Sequence, residues 1–290
     1  MNSISQETPA EAVQSDTGRA KVSRLRLDRS QIEQTPVNEA DQIARWGSLR
    51  RLRLDAATLP RNHLHVDSDD SDIVARFDFL RTMVSGAMQE HGILRLGVCG
   101  TTAGCGASFV AANLALAMAR RPSSRIMLAD MNLRQPELAQ LFGTTAPGPL
   151  GDVLAGRQPA PDQLRLARDN LALLLNSQPV QNSAELLQEA STGQALREIR
   201  DHYGPTAEIY DMAPLLDGDQ GLSLLPELDG VLLVADGTVT TAADMKAADR
   251  ILQGRTRLVG LVLNRGDVSP PFHEVLANFL ARTFGRRKKV

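Results

Sequence analysis

Cysteine is scarce in this chain: two among 290 residues, Cys99 and Cys105. They form neither a disulfide framework nor a metal-ligand spacing, which points to a reducing, cytoplasmic setting. Long apolar runs are missing too, and none approaches the roughly 20 residues needed to span a bilayer. The opening "MNSISQETPAEAVQSD" lacks the basic and apolar regions of a secretory signal. Charge is nearly balanced, with a formal net charge of −2, so nothing favours bulk attraction to nucleic acid or membranes. The five histidines, His63, His65, His91, His202 and His273, are scattered and suggest no metal site. There is no internal repeat. These absences leave a soluble globular chain, with 42% hydrophobic and 23% charged residues.

What is present falls into two parts. Residues 1–70 are polar, with scattered Pro, Gln, Ser and Asp, and are expected to be largely disordered because such composition buries too little apolar surface. Inside that part, "ARWGSLRRLRL" (44–54) interleaves arginines with Trp46, Leu49, Leu52 and Leu54. It reads either as a short element against the core or as a docking segment for a partner or lipid surface. Residues 71–290 read as one folded domain. A leading amphipathic helix places Ile73, Phe77, Leu80 and Val84 at helical spacing. Six apolar runs follow, "ILRLGVC", "RIMLAD", "LALLLN", "AEIYD", "GVLLVAD" and "LVGLVLN", separated by helix-length segments. Short β-rich runs alternating with helices predict a doubly wound α/β fold, a mostly parallel sheet with helices on both faces.

In such a sheet ligands sit beyond the carboxyl ends of the strands. After the first run comes "GTTAGCGAS". Gly104, Cys105, Gly106 and Ala107 are small enough for backbone N–H groups to converge on a phosphate, and Ser108 stands where a hydroxyl would ligate Mg²⁺. The phosphate-loop template asks for lysine at position 107, and this chain has alanine. Asp130 and Asp211 end two further strands, as the carboxylates of a Mg²⁺-bound nucleotide site do. Each aspartate alone also fits a helix N-cap.

Taken in order, "GTTAGCGAS…AANLALAMA", "IMLADMNLRQP", "IYDMAP", "GPLGDVLAG", "NSAELL", "DGVLLVADGTVT" and "VGLVLNR" resemble the bacterial tyrosine autokinases of capsule and exopolysaccharide synthesis, relatives of the MinD/ParA branch of P-loop NTPases. The likeness runs from about Ala75 to Asp267. It implies that residues 104–108 cradle phosphates, that Ser108, Asp130 and Asp211 hold Mg²⁺, and that Asn264 lies near the base. The implied ligands are ATP or ADP with Mg²⁺. The implied partners are a membrane polysaccharide co-polymerase or a cognate kinase, with no nucleic acid.

The departures from the family pattern are specific. Ala107 replaces the loop lysine, and Thr102 stands where MinD/ParA loops carry a second one. Asn132 replaces the second aspartate of the D-x-D element. The ring-assembly segment corresponds to Ala75, Asp78 and Arg81, of which only the arginine matches. The family's terminal tyrosine cluster has no counterpart in "LARTFGRRKKV", and the tyrosines, Tyr203 and Tyr210, fall inside the fold. A phosphate-bridging lysine supplies charge-assisted hydrogen bonds of about 1.5–3 kcal/mol each, so its loss weakens ATP binding about ten- to a hundredfold. The expectation is a catalytically degenerate, weakly nucleotide-binding regulatory or scaffold subunit. An ATPase or kinase that borrows another cation is the competing reading, with Arg134 as one candidate donor. Near the C-terminus, Phe272, Val275, Leu276, Phe279, Leu280 and Phe284 suggest a closing helix. Arg286, Arg287, Lys288 and Lys289 after it read as a solvated end or as a peripheral contact with acidic lipid on the inner face of the membrane.

Overall fold

The computed structural model describes residues 38–55, 57–65 and 72–266. The expected closing helix and basic tail lie outside them. The six apolar runs all become strands, and a seventh joins them at one edge. The strands are β1 (Arg95–Gly100), β2 (Ile126–Met131), β3 (Leu164–Arg168), β4 (Leu171–Leu174), β5 (Ala207–Met212), β6 (Gly230–Asp236) and β7 (Arg257–Asn264). They form one sheet in the order β3-β4-β2-β5-β1-β6-β7, parallel throughout except for the β3–β4 hairpin. The fold is the doubly wound α/β architecture that the sequence pattern predicts.

Among the described residues the helices are α1 (Glu39–Gly47), α2 (Thr58–Arg61), α3 (Asp72–His91), α4 (Ala107–Ala119), α5 (Leu138–Leu141), α6 (Leu150–Leu154), α7 (Ser183–Gln188), α8 (Ala190–Tyr203), α9 (Gln220–Ser223) and α10 (Ala242–Leu252). Strand alternation divides the core between the two faces: β2 gives Ile126 and Leu128 to one and Met127, Ala129 and Met131 to the other. Helix α4 is apolar on every side, and all residues from Val110 to Ala119 are buried, as a helix between a sheet and an outer helix must be. Helix α3 supplies that outer layer, with Phe77 and Phe109 meeting edge to face at 5.7 Å. Of the expected face, Val84 is buried and Phe77 and Leu80 pack partly buried against the core; Val74 and Met88 join it, while Ile73 is exposed.

The loose polar segment expected through residue 70 is ordered over much of its second half. Asn38 caps α1, its side chain accepting from the Ala40 N–H at 3.0 Å. Trp46 is buried and donates its indole N–H to the Asp169 carbonyl at 2.8 Å. Leu49, Leu59 and Leu64 are buried as well. Arg50 and Leu52 exchange backbone hydrogen bonds with Leu166, which covers the open edge of β3. Averaged composition hides this anchoring because one tryptophan and three leucines supply most of the apolar contact.

Candidate functional site

The loop after β1 and the start of α4 form the floor of a cleft of about 430 Å³, lined by Thr102 to Phe109 with Asn132, Gln135, Glu137, Met212, Pro214 and Arg265 among the other contributors. That volume is in the range of small-ligand sites. The chain can turn into α4 because Gly104 and Gly106 adopt φ of +76° and +83°, which glycine tolerates. Gly106 is the N-cap and carries no side chain to cap the first turn. Ala107 and Ser108 therefore present the helix N-terminus to the cleft, an arrangement that suits an anion. The loop is braced from several sides. Leu215 and Leu216 donate to the Gly100 and Thr101 carbonyls, both at 3.0 Å, and Thr101 donates to Val234 at 3.0 Å. The Asp217 carboxylate already occupies the Ala103 N–H, so one loop amide is engaged before any ligand arrives.

Of the expected site residues, Gly104, Cys105, Gly106, Ala107 and Ser108 line the cleft, whereas Asp130, Asp211 and Asn264 are not part of its lining. Asp130 and Asp211 are cross-strand neighbours on β2 and β5. Both are fully buried. Asp130 Oδ2 accepts from the Leu138 N–H at 3.1 Å. Its Oδ1 and both oxygens of Asp211 have no hydrogen-bond partner among the described residues. Burial, together with the charge of Asp211, raises the Asp130 carboxyl well above its ordinary range. Burial pushes Asp211 up to about 7; the Ser108 hydroxyl pulls the other way without closing a hydrogen bond, and Glu137 adds to the rise. Two buried carboxylates side by side, with three of their four oxygens lacking a hydrogen-bond partner among the described residues, call for a cation. Among the described residues no group of three or more His, Cys, Asp or Glu could hold a metal. Mg²⁺ commonly binds through one or two carboxylates and shares its remaining positions with water and phosphate. Ser108, Asp130 and Asp211 are the residues that would hold it.

The Cys105 side chain is buried against the Thr101, Thr102 and Thr240 hydroxyls. Asn264 donates its side-chain N–H to the Cys105 carbonyl at 2.9 Å and so clamps the loop from outside the cleft. Arg134 does not reach the loop: it bonds to Ser183 at 3.1 Å and to Asp219 at 3.2 Å. The cation that does reach it is Arg265, which the sequence reading did not single out. Its Nη1 donates to the Gly104 carbonyl at 2.9 Å and to Asp236 Oδ2 at 2.8 Å. Asp236, at the end of β6, is held as a low-pKa carboxylate first by the Thr238 hydroxyl and also by Arg265. The available signal was position: a basic residue directly after a strand end on the loop's side of the sheet.

Neither tyrosine is available. Tyr210 is buried in β5 and donates to Glu208 at 2.5 Å. Tyr203 is 7% exposed and donates to the Pro161 carbonyl.

Comparison with known proteins fits this geometry. No family model matches the chain. The tyrosine-protein kinase Wzc of Salmonella typhi is 27% identical over 187 residues, covering 64% of this chain and 26% of Wzc. The tyrosine-protein kinase Etk of Escherichia coli K12 is 26% identical over 203 residues, covering 69% of this chain and 28% of Etk. The chain thus spans about a third or less of the length of the curated relatives it matches. The solved kinase domain of Escherichia coli ETK superposes with a TM-score of 0.63 at 25% identity, over 71% of this chain and 82% of that domain. MinD of Pyrococcus horikoshii shares the fold, with a TM-score of 0.53 at 19% identity over 62% of this chain and 76% of its own. The homologues of this chain are bacterial tyrosine-protein kinases, and its fold is that of their P-loop kinase domains.

Proposed function

We propose that this protein is a kinase-like regulatory or scaffold subunit of bacterial exopolysaccharide or capsule synthesis that holds Mg²⁺ and ATP or ADP weakly and does not phosphorylate itself on tyrosine. One observation carries the reading. The cleft has an anion-binding helix start, with the Asp130–Asp211 pair buried outside its lining, while a methyl group, Ala107, stands at the first residue of α4 where the loop lysine belongs. Binding relies on backbone amides, the helix N-terminus and the cation, all of which the chain retains. Transfer relies on a positive charge that follows the shift of charge among the phosphate oxygens, and the loop itself supplies none. The burial of both tyrosines adds a second obstacle to self-modification.

When bound, Mg²⁺ would neutralise charge on the phosphate oxygens. The chain's own residues do the rest. Loop amides orient the phosphates, Ser108 and the two aspartates fix the cation, and Asp217 competes for the Ala103 amide. A domain of this kind acts by docking. The partners proposed are a membrane polysaccharide co-polymerase or a cognate kinase, at the inner face of the membrane. No described helix is long and apolar enough to cross a membrane.

The alternative reading, an active kinase or ATPase with an atypical loop, gains support from Arg265 on the loop. The two are separated by incubating the purified chain with radiolabelled Mg·ATP and following phosphotyrosine and released phosphate. No label on protein and no phosphate release above an Asp211→Ala control is the expected result. Metal-dependent turnover that Asp211→Ala abolishes would replace this reading with the enzymatic one.

A further inference from the structure

The cleft needs a cation opposite its phosphates, and its lining contains one basic side chain among the described residues, Arg265. The chain holds that side chain there at some cost. Arg265 has φ of +53°, and it and His63 are the non-glycine residues with positive φ among those described. Such a conformation is strained for a residue with a Cβ and persists only when its surroundings impose it. Here they do. The Arg265 N–H donates to Asn264 Oδ1 at 3.0 Å, Asn264 is itself bonded to the loop, and the Gly237 N–H donates to the Asn264 carbonyl at 2.8 Å. Within the guanidinium the work is divided. Nη1 serves both contacts, to Gly104 and to Asp236, while Nε and Nη2 make no hydrogen bond to any described residue. The side chain is 58% exposed although one of its nitrogens is tied down at two points. A guanidinium has five N–H donors in a planar fork, so anchoring through one nitrogen leaves a fork-shaped face for an anion.

We propose that Arg265 is the phosphate-facing cation of this cleft. Anchored through Nη1, it directs Nε and Nη2 to the terminal phosphate oxygens of a nucleoside di- or triphosphate seated on the loop, a task that lysine at position 107 would otherwise perform. The proposal rests on the nucleotide-binding reading above and names the residue that makes binding possible without the loop lysine. It also accounts for the second anchor, since Asp236 keeps the guanidinium over Gly104 when no phosphate is present.

The test is a ranking of ligands. Mg·ATP, Mg·ADP and AMP are titrated by equilibrium dialysis into wild type, Arg265→Ala and Arg265→Gln, with thermal unfolding of each free protein alongside. Glutamine keeps a donor for the Gly104 carbonyl and removes the charge, so it reports on the phosphate contact if the alanine variant fails to fold. Loss of about tenfold or more for ATP and ADP, with AMP changed by less than about twofold, is the expected result. Adding Ala107→Lys to Arg265→Gln should then recover most of the lost ATP affinity. An equal loss for all three ligands would make Arg265 a loop brace and overturn the proposal. Unchanged ATP affinity in both variants would overturn it while leaving the nucleotide reading intact. Wild type that binds none of the three would overturn both.

Discussion

Replacing Asp211 with asparagine should make the metal-free protein more stable at alkaline pH, although it removes a residue from the core of the site. Asp211 is fully buried, and its carboxyl is shifted from an ordinary 3.8 to about 7. That rise corresponds to about 4 kcal/mol. The folded-state value lies above the unfolded one, so this contribution is fully present below about pH 4 and is lost as pH rises through about 7. Asp130, raised in the same direction, acts with the same sign. Asparagine does not titrate, and its cost is an unpartnered buried amide of about 1–3 kcal/mol at every pH. The difference in unfolding free energy, variant minus wild type, should therefore move by about 4 kcal/mol in favour of the variant between pH 4 and pH 8. Urea unfolding at several pH values in the presence of a chelator measures it; groups remote from the pair cancel in the difference, whereas Asp130, raised by burial and in part by the charge of Asp211, falls in the variant and adds to the movement in the same direction. Excess Mg²⁺ at pH 8 should stabilise wild type and leave the variant nearly unchanged. A difference that stays constant with pH would refute the picture of two uncompensated carboxylates awaiting a cation.

Three further outcomes test the scaffold around the site. Trp46→Ala should cost about 3–5 kcal/mol, because the single tryptophan is 4% exposed and anchors α1 to the Asp169 carbonyl; wild-type tryptophan emission should shift to the red only when the domain unfolds. Arg200→Met should cost about 3–5 kcal/mol in denaturant unfolding, since Glu208 is buried in β5 and relies on a two-pronged contact from Arg200 at 2.7 and 3.0 Å. Gly106→Ala should cost about 1–2 kcal/mol through its left-handed φ, and its new Cβ would strike the Asn264 side chain; loss of nucleotide affinity in a titration is expected alongside.

Where sequence reasoning succeeded, the signal was a change of period. The six strands it identified are short, apolar and bounded by turns; burial on both faces leaves that pattern undisturbed in the interior strands, and the edge strand β7 keeps it although only partly buried. The edge strand β3 was missed because its residues alternate between buried and half-exposed, as in "LRLAR"; the Asp169–Asn170 turn ahead of "LALLL" was the available hairpin cue. The paired carboxylates were legible because each directly follows a buried run, and the register brings Asp130 opposite Asp211. Arg134 looked like a spare charge in one dimension, yet Asp219 and Ser183 hold it elsewhere. Arg265 was not singled out because its role depends on a strand six places after the first in chain order, brought near the loop only by the sheet. Within residues 1–70, the contact of Trp46 and Leu49 with the core matches one of the two readings of 44–54, while Leu59 and Leu64 were not legible because they are single apolar residues in a polar background.

The central claim is that the cleft retains nucleotide without the loop lysine. Calorimetric titration of Mg·ATP and Mg·ADP into wild type and Ala107→Lys tests it most directly. Saturable binding by wild type, tightened about ten- to a hundredfold by Ala107→Lys, is the expected result. A wild type that takes up no nucleotide, or a lysine variant that binds no better, would contradict it.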